Sequence, residues 1–138
     1  MIFKWKDAYG CNIQEIDSQH KRLFEIGSKV FEVASLKDEF DHYDEIINIL
    51  EELKEYTVYH FAYEEKLMQE NNYEGYEEHK VEHDFFIKKI KRIERKDLEN
   101  AQSEAILDII AFVADWVSNH ILKTDMNYKK FFNEKGIC

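Results

Sequence analysis

The chain is 138 residues long, which is the usual size of a single domain. It has no proline and only four glycines, which argues against sandwiches and barrels with their frequent turns and favours long helices. Hydrophobic residues make up 44% of the chain, enough for a core, so a disordered chain is not expected. The net charge of −10 argues against nucleic acid and anionic membrane surfaces as partners, because phosphate binding needs clustered lysine and arginine.

The two cysteines and the N-terminal segment indicate the compartment. Cys11 and Cys138 stand near opposite ends of the chain, without the repeated spacing of a disulfide framework or a cysteine-ligated metal site. The segment 1–7 lacks the basic region and apolar run of a secretory signal. No apolar run approaches the ~18 residues of a membrane span, so no membrane insertion is expected. We therefore predict a cytoplasmic protein with free thiols.

The predicted elements, in chain order, are an N-terminal arm over residues 1–16, four helices, and a short tail that ends at residue 138. The four helices are predicted at about residues 17–35, 41–71, 76–96 and 101–127. The pattern is longest in the second helix, where one face recurs every three or four residues: Ile46, Leu50, Leu53, Thr57, His60, Glu64 and Leu67. Four amphipathic helices with short connections predict an all-α fold, an antiparallel up-down-up-down four-helix bundle, as a single domain over residues 1–138.

The ends of these helices are predicted from capping and turn residues. Asp17 and Ser18 are good N-caps, so the first helix is expected to begin there. Two asparagines and a glycine in the segment 71–75 are expected to end the second helix. Trp5 is expected to pack the N-terminal arm over the bundle, because a tryptophan this close to a terminus otherwise has no reason to be ordered.

Each predicted helix carries histidine on its otherwise apolar face. Five of the six histidines share this placement with two acidic residues: His20, His60, Glu64, His79, His83, His120 and Asp125. A single histidine on an apolar face is more often a core residue than a metal ligand. Five imidazoles and two buried acids, however, cannot satisfy one another at neutral pH, and a bound cation removes that conflict. The arrangement therefore predicts a metal site.

The number and type of donors narrow the choice of metal. Seven donors exceed one coordination sphere, since a structural zinc ion takes four ligands. Two metal ions bridged by the two carboxylates fit the number. Nitrogen-rich ligation with carboxylates suits iron, copper or zinc better than magnesium or calcium, and bundle cores are where di-iron centres are built. The residues alone predict a two-metal site and leave these three metals open.

A series of local motifs resembles the hemerythrin family, specifically its single-domain bacterial members. The motifs follow the family order over nearly the whole chain: Trp5 followed by Tyr9, IDSQHKRLF at 16–24, HFAYEE at 60–65, the pair His79 and His83, and HIxxxD at 120–125. The resemblance implies two iron ions in a non-heme di-iron centre with an oxo or hydroxo bridge. All seven ligand positions of the family pattern are filled.

The resemblance also implies how the donors divide between the two ions. One iron would be held by three histidines: His79, His83 and His120. The other iron would be held by His20 and His60. Glu64 and Asp125 would bridge the two ions. The iron with two histidines would then keep one open coordination position.

For function, the resemblance implies reversible O₂ binding by a carrier, a store or a delivery protein rather than by an enzyme. O₂ would be held as hydroperoxide on the iron with two histidine ligands, and other small diatomics or anions could bind at the same open position. The expected walls of the O₂ pocket lie within one turn of a ligand: Leu23, Phe24, Phe61, Trp116, Val117 and Ile121. A protein partner is not identified by these residues.

Two other classes of function stay open. One is an enzyme, either a di-iron oxidase or a protein that handles peroxide or NO. Ferritin-like di-iron enzymes use four carboxylates and two histidines, with Glu-x-x-His on two helices, and this chain does not repeat that motif. The other class is an O₂-sensing module, which would act through a separate partner because 138 residues leave no room for an output domain.

The spacing between His120 and Asp125 predicts an irregular backbone. Five residues of α-helix rotate by about 500°, which is about 140° away from the starting face, so a regular helix would place Thr124 beneath His120. A single i→i+5 turn, a π-bulge, would bring His120 and Asp125 onto one face. The alternative is that the carboxylate reaches the metals from the flank of an undistorted helix.

Overall fold

The structure is a computed structural model that describes residues 4–36, 42–92 and 103–138. A 3₁₀ turn at Asp7–Tyr9 precedes the helices, which are α1 (Gln14–Ala34), α2 (Tyr43–Glu70), α3 (Tyr76–Lys91) and α4 (Ser103–His120). After α4 the chain continues through a π turn, Ile121–Asp125, into α5 (Met126–Glu134). Helix α1 packs against α2 and α4, and α2 packs against α3, so the predicted antiparallel four-helix bundle is confirmed.

A polar layer divides the interior of the bundle into two apolar clusters. The larger cluster includes Leu23, Phe61, Phe86, Val117 and Ile121. The smaller cluster, near the chain ends, consists of Cys11, Ile13, Ile16, Met68, Tyr128 and Phe132. On α1, for example, His20 lies between Ile16 of the smaller cluster and Leu23 of the larger one. The predicted metal donors therefore lie between two apolar regions, where a charge without a partner is costly.

Helix α1 begins at Gln14, earlier than predicted. The N-cap position is Ile13, whose side chain is buried in the smaller cluster together with Ile16. Asp17 lies inside the helix, where its Oδ1 accepts the backbone N–H of Cys11 at 2.9 Å. The N-cap prediction for Asp17 is wrong, because packing of an apolar face contributes more to a helix than a capping preference does.

Helix α2 ends within one residue of the predicted position, through a Schellman motif. Asn72 has a φ of +55°, in the left-handed region that asparagine tolerates. The backbone N–H of Tyr73 donates to the carbonyl of Met68 at 3.0 Å, and that of Asn72 donates to the carbonyl of Gln69 at 3.2 Å. These bonds satisfy two carbonyls that the helix end would otherwise leave open.

The predicted tail is largely helical, since α5 extends to Glu134. Tyr128 and Phe132, four residues apart, are both fully buried in the smaller cluster, and this shared face holds α5 in place. Gly136, with a φ of +81°, follows the end of the helix. The predicted end of the third helix at residue 96 and the start of the fourth at 101 lie outside the described residues.

The N-terminal arm packs on the bundle through Trp5, as predicted. The ring centroid of Trp5 lies 5.7 Å from that of Tyr9 and 6.1 Å from that of Phe24. The amino group of Lys21 lies 5.3 Å from the same ring. Of the helices in the described parts of the chain, none is long and apolar enough to cross a membrane.

Candidate metal centre

The seven predicted donors meet in the polar layer, and each is at most 4% exposed. They form two sets, in each of which the donor atoms lie within 4.8 Å of one another. The three-histidine set is His79, His83, His120 and Asp125. The two-histidine set is His20, His60, Glu64 and Asp125. The sixth histidine, His42, belongs to neither set.

Asp125 belongs to both sets, and its two oxygens face different histidines. Its Oδ1 lies 2.9 Å from Nε2 of His79 and 3.1 Å from Nε2 of His120. Its Oδ2 lies 3.1 Å from Nε2 of His20. A carboxylate in this orientation could offer one oxygen to each of two neighbouring cations.

Glu64 also reaches both sets. Its Oε1 lies 2.5 Å from Nε2 of His60, and its Oε2 lies 3.6 Å from Nε2 of His79. The hydroxyl of Tyr128 donates to Oε2 at 2.6 Å and so helps to orient the carboxylate. The ring of Tyr128 is also parallel to that of His79, at a centroid distance of 5.5 Å. Sequence reasoning does not find this contact of Tyr128, because nothing in its spacing indicates where its hydroxyl points.

Buried polar atoms that lack a hydrogen-bond partner are concentrated here. Among the side chains described in residues 4–36, 42–92 and 106–138, they all belong to His20, Glu64, His79 and Asp125. Ring nitrogens approach the Asp125 oxygens to 2.9–3.1 Å, yet the two do not meet in hydrogen-bond geometry. Each unsatisfied buried group costs about 1–3 kcal/mol, so their concentration fits atoms that converge on shared cations. The residues present therefore fit a pair of metal ions.

The backbone between His120 and Asp125 is a π turn, and this prediction is confirmed. The N–H of Met126 bonds to the carbonyl of Ile121, five residues earlier. The extra residue brings the Asp125 carboxylate onto the donor face below His120. It also moves Thr124 away from that face and towards α3, where the Thr124 hydroxyl makes hydrogen bonds. The alternative of an undistorted helix is therefore wrong.

A family model for the Hemerythrin HHE cation binding domain matches residues 11–132, which include all seven donors. The chain belongs to the hemerythrin family. The resemblance inferred from the local motifs is thereby confirmed, and the match covers all of the described helices except the end of α5.

Several named hemerythrins are similar over most of their length. The chain is 41% identical to a bacteriohemerythrin of Clostridium acetobutylicum, over 92% of this chain and 98% of that protein. It is 33% identical to a bacteriohemerythrin of Methylococcus capsulatus, with 92% and 94% covered. It is 32% identical to a myohemerythrin of Riftia pachyptila, with 92% and 91% covered. A crystal structure of wild-type hemerythrin matches the fold with a TM-score of 0.80 and 33% identity, covering 92% of this chain and 95% of that one.

In this hemerythrin-family chain, three of the donor histidines have a hydrogen-bond partner at the ring nitrogen that points away from the centre. The pairs are His60 with Gln19 at 2.7 Å, His83 with Glu65 at 3.0 Å, and His120 with Glu82 at 3.2 Å. Such a partner fixes the tautomer and orientation of a ligand and leaves Nε2 for the metal. The partners are carboxylates in the three-histidine set and an amide in the two-histidine set.

None of these three partners is predicted from the sequence above. Gln19, Glu65 and Glu82 each stand next to a donor in the chain, which is the one signal the sequence offers. That signal is weak, because a polar residue beside a buried one on a helix usually faces solvent. Glu82 shows the difficulty, since it neighbours His83 in sequence but contacts His120 on another helix.

The acids and imidazoles of the site shift one another's pKa values. Burial raises the pKa of Glu64 and of Asp125, but the surrounding histidines outweigh it. They hold the pKa of Glu64 at about 2 and that of Asp125 well below its usual range. Burial lowers the pKa of His120, but the charge of Asp125 outweighs it and raises the pKa to about 9. The polar layer thus favours ionised carboxylates surrounded by positive charge. A bound metal ion would supply the same positive charge.

A small cavity adjoins the two-histidine set. Its volume is about 10 Å³, which is room for the centre of one molecule the size of water. Five of the six expected wall residues line it: Leu23, Phe61, Trp116, Val117 and Ile121. The sixth, Phe24, is not among the lining residues, and its ring instead stacks on that of Tyr9 at 5.0 Å. One step along α1 turns a side chain by about 100°, which takes Phe24 away from the cavity.

Proposed function

We propose that the chain binds O₂ reversibly at a non-heme di-iron centre and acts as an O₂ carrier, store or delivery protein. The observation that carries this proposal is the pair of donor sets that share Asp125. Membership of the hemerythrin family and the names of the relatives, bacteriohemerythrin and myohemerythrin, support it. The iron pair supplies the redox chemistry, since each ion can change by one electron between the ferrous and ferric states.

We propose that the seven donors are divided between two iron ions according to the two sets. His79, His83 and His120 would hold one iron, and His20 and His60 would hold the other. Glu64 and Asp125 would bridge the two ions, each with one oxygen towards each side. The distances of the Asp125 oxygens to histidines of both sets support this division. We also propose that residues 1–138 form a single domain around this centre.

With both carboxylates shared, the two-histidine set has one protein donor fewer than the three-histidine set, and the cavity lies beside it. His20 and His60 both contribute to the cavity lining, together with apolar side chains. These walls leave space for one small molecule, and the apolar side chains among them offer water few hydrogen-bond partners. NO or a small anion of similar size would fit the same space. Exclusion of water and protons slows the irreversible oxidation that would compete with O₂ release.

We propose that the chain is a binding protein rather than an enzyme. The site offers five imidazoles and only two carboxylates, so it stabilises highly oxidised iron less than a site with four carboxylates does. This disfavours cleavage of the O–O bond and favours release. Slow autoxidation without turnover of peroxide would support binding, whereas sustained peroxide turnover would support an oxidase or peroxidase. An O₂ sensor would instead capture a protein partner in only one of the oxy and deoxy forms.

The test of this function is iron loading under anaerobic conditions, followed by metal analysis and visible spectroscopy. We expect two iron ions per chain, a visible band that appears on exposure to O₂, and its loss when O₂ is removed. Zinc-loaded protein is the control, because zinc cannot change oxidation state and should show no band. A single bound metal ion, or an iron-loaded spectrum that O₂ leaves unchanged, would contradict the proposal.

Filling the cavity is expected to weaken O₂ binding without loss of iron. Val117 lines the cavity and is not a donor, so Val117→Ile adds one carbon to the space that O₂ would occupy. We expect about a tenfold loss of O₂ affinity, which corresponds to about 1.4 kcal/mol and falls within the usual cost of overpacking. The measurement is an O₂ titration of the reduced, iron-loaded protein.

The matched control is Val113→Ile, one turn earlier on α4. Val113 is also buried but does not line the cavity. This variant should crowd the core to a similar degree and keep the parent's O₂ affinity. Equal affinities for Val117→Ile and the parent would show that O₂ does not use this cavity.

A further inference from the structure

We propose that Glu82 is a positioning residue of the metal centre, which holds the π turn in register so that His120 and Asp125 face the metals together. This inference rests on the di-iron function proposed above. Glu82 lies on α3, and its carboxylate reaches across to the end of α4 and to the π turn. It therefore ties together the two elements that supply the three-histidine set.

The carboxylate of Glu82 has two partners across the helix interface. Its Oε1 accepts from Nδ1 of His120 at 3.2 Å. The hydroxyl of Thr124 lies 2.8 Å from each of the two oxygens and can donate to either. The side chain of Glu82 is 45% exposed, so a bond to His120 alone would compete with water. The hydroxyl of Thr124 holds the carboxylate in place and so stabilises its hydrogen bond with His120.

The bond from Thr124 distinguishes the π register from the α register. In a regular α-helix Thr124 would lie beneath His120, facing the donor layer, and Asp125 would be rotated about 100° further round the helix. In the π turn Thr124 instead faces α3, where Glu82 accepts its hydroxyl. A π turn is less favourable than an α turn, so it persists where contacts outside the helix favour it. Glu82 supplies such a contact at Thr124, which would face a different neighbour in the α register.

The charge of Glu82 adds a second effect through His120. A histidine that donates its Nδ1–H to a carboxylate is a stronger metal ligand through Nε2 than one that donates to a neutral group. The loss of that charge should therefore be felt by the metal even where the hydrogen bond survives. This separates Glu82 from a residue that only supports the fold.

The experiment compares five single variants and one double variant in the iron-loaded protein. The single variants are Glu82→Ala, Glu82→Gln, Thr124→Val, Thr124→Ser and Glu78→Gln, and the double variant combines Glu82→Ala with Thr124→Val. Glu78 is an exposed acid on α3, one turn before Glu82, and serves as the charge control. The measurements are the rate of iron release to a chelator under anaerobic conditions and the reduction potential of the bound iron.

We expect Glu82→Ala to release iron about 10–100-fold faster than the parent, the usual effect of losing the partner of a metal ligand. Thr124→Val should also release iron faster, whereas Thr124→Ser, which keeps the hydroxyl, should behave as the parent does. The double variant of Glu82→Ala and Thr124→Val should be no faster than Glu82→Ala alone, because both residues act through one carboxylate. Glu82→Gln should raise the reduction potential, since the amide donates less electron density through His120.

The proposal is overturned if Glu82→Ala releases iron at the rate of Glu78→Gln, or if the effects of Glu82→Ala and Thr124→Val simply add. Should Glu82→Ala fail to fold, the comparison of Thr124→Val with Thr124→Ser decides, and equal release rates for these two reject the proposal. A parent protein that binds no iron pair would instead reject the di-iron function. A parent with two iron ions and no difference among the variants rejects the role of Glu82 alone.

Discussion

Replacing His79 with alanine is expected to reduce the iron content below two ions per chain and to destabilise the protein by about 3–5 kcal/mol. Nε2 of His79 lies 2.9 Å from Asp125 and 3.6 Å from Glu64, and the residue is only 2% exposed. Its removal takes away one proposed iron ligand and leaves two buried carboxylates with less positive charge around them. The measurements are metal analysis after anaerobic loading and equilibrium unfolding in urea.

The control for this prediction is His42→Ala, which removes an imidazole that belongs to neither donor set. That variant should keep two iron ions per chain. If His79→Ala also keeps two iron ions and the parent's stability, the proposed ligation by His79 is wrong. A loss of stability without a loss of iron would assign His79 to the fold rather than to the metal.

Protein stripped of metal by a chelator is expected to lose about 3 kcal/mol of unfolding free energy between pH 6.5 and pH 9. In the folded chain the pKa of His120 is raised from 6.5 to about 9, chiefly because the charge of Asp125 outweighs the effect of burial. The pKa of His20 is raised for a similar reason, with Asp125 and Glu64 outweighing its burial. For His120 alone, a rise in pKa from 6.5 to about 9 on folding corresponds to about 3 kcal/mol.

The sign follows from proton binding. Between pH 6.5 and pH 9 the folded state keeps the proton on His120 and the unfolded state does not, so stability falls as pH rises through this window. Burial lowers the pKa of His83 in the folded chain. Below pH 6.5 the unfolded state therefore binds a proton at His83 before the folded state does, and the free energy of unfolding falls as pH falls. Glu64 and Asp125 have lowered pKa values, and the stability they contribute is lost as pH falls below about 4.

Iron-loaded protein is the control for the pH series, because a metal ion on Nε2 takes the place of the proton. It should be more stable than the stripped protein throughout, by mass action of the bound metal. Its stability should also change less between pH 6.5 and pH 9. Urea unfolding of both forms at each pH measures the difference. If the unfolding free energies of the stripped and iron-loaded proteins change with pH in parallel, the protonation of the donor histidines is not coupled to folding.

The π turn shows how far spacing alone can predict a backbone. Four-residue spacing in His60–Glu64 and His79–His83 is compatible with a regular helix, whereas five-residue spacing in His120–Asp125 is not. Once both residues are required on one face, the helix between them must gain a residue. The irregularity could therefore be predicted from the chain, and the structure has it at Ile121–Asp125.

The start of α1 and the wall of the cavity could not be predicted in the same way. Capping preferences placed the start at Asp17, but the burial of Ile13 and Ile16 moves it to Gln14. Nearness to a ligand in sequence suggested Phe24 as a wall residue, but its ring packs on Tyr9 under the N-terminal arm. Both outcomes depend on contacts with a distant part of the chain, which local patterns do not contain.

The sequence alone predicts the four helices, the inward face of each, and the seven donors on those faces. It could do so because helical periodicity and the chemistry of imidazole and carboxylate groups are local properties. Two features are visible only in the folded chain. One is which oxygen of Asp125 faces which histidine, and the other is that Glu82 pairs with His120 and Thr124 rather than with solvent. Those pairings depend on how the helices are rotated and shifted against one another, and that is set by the packing of the two apolar clusters on either side of the donor layer.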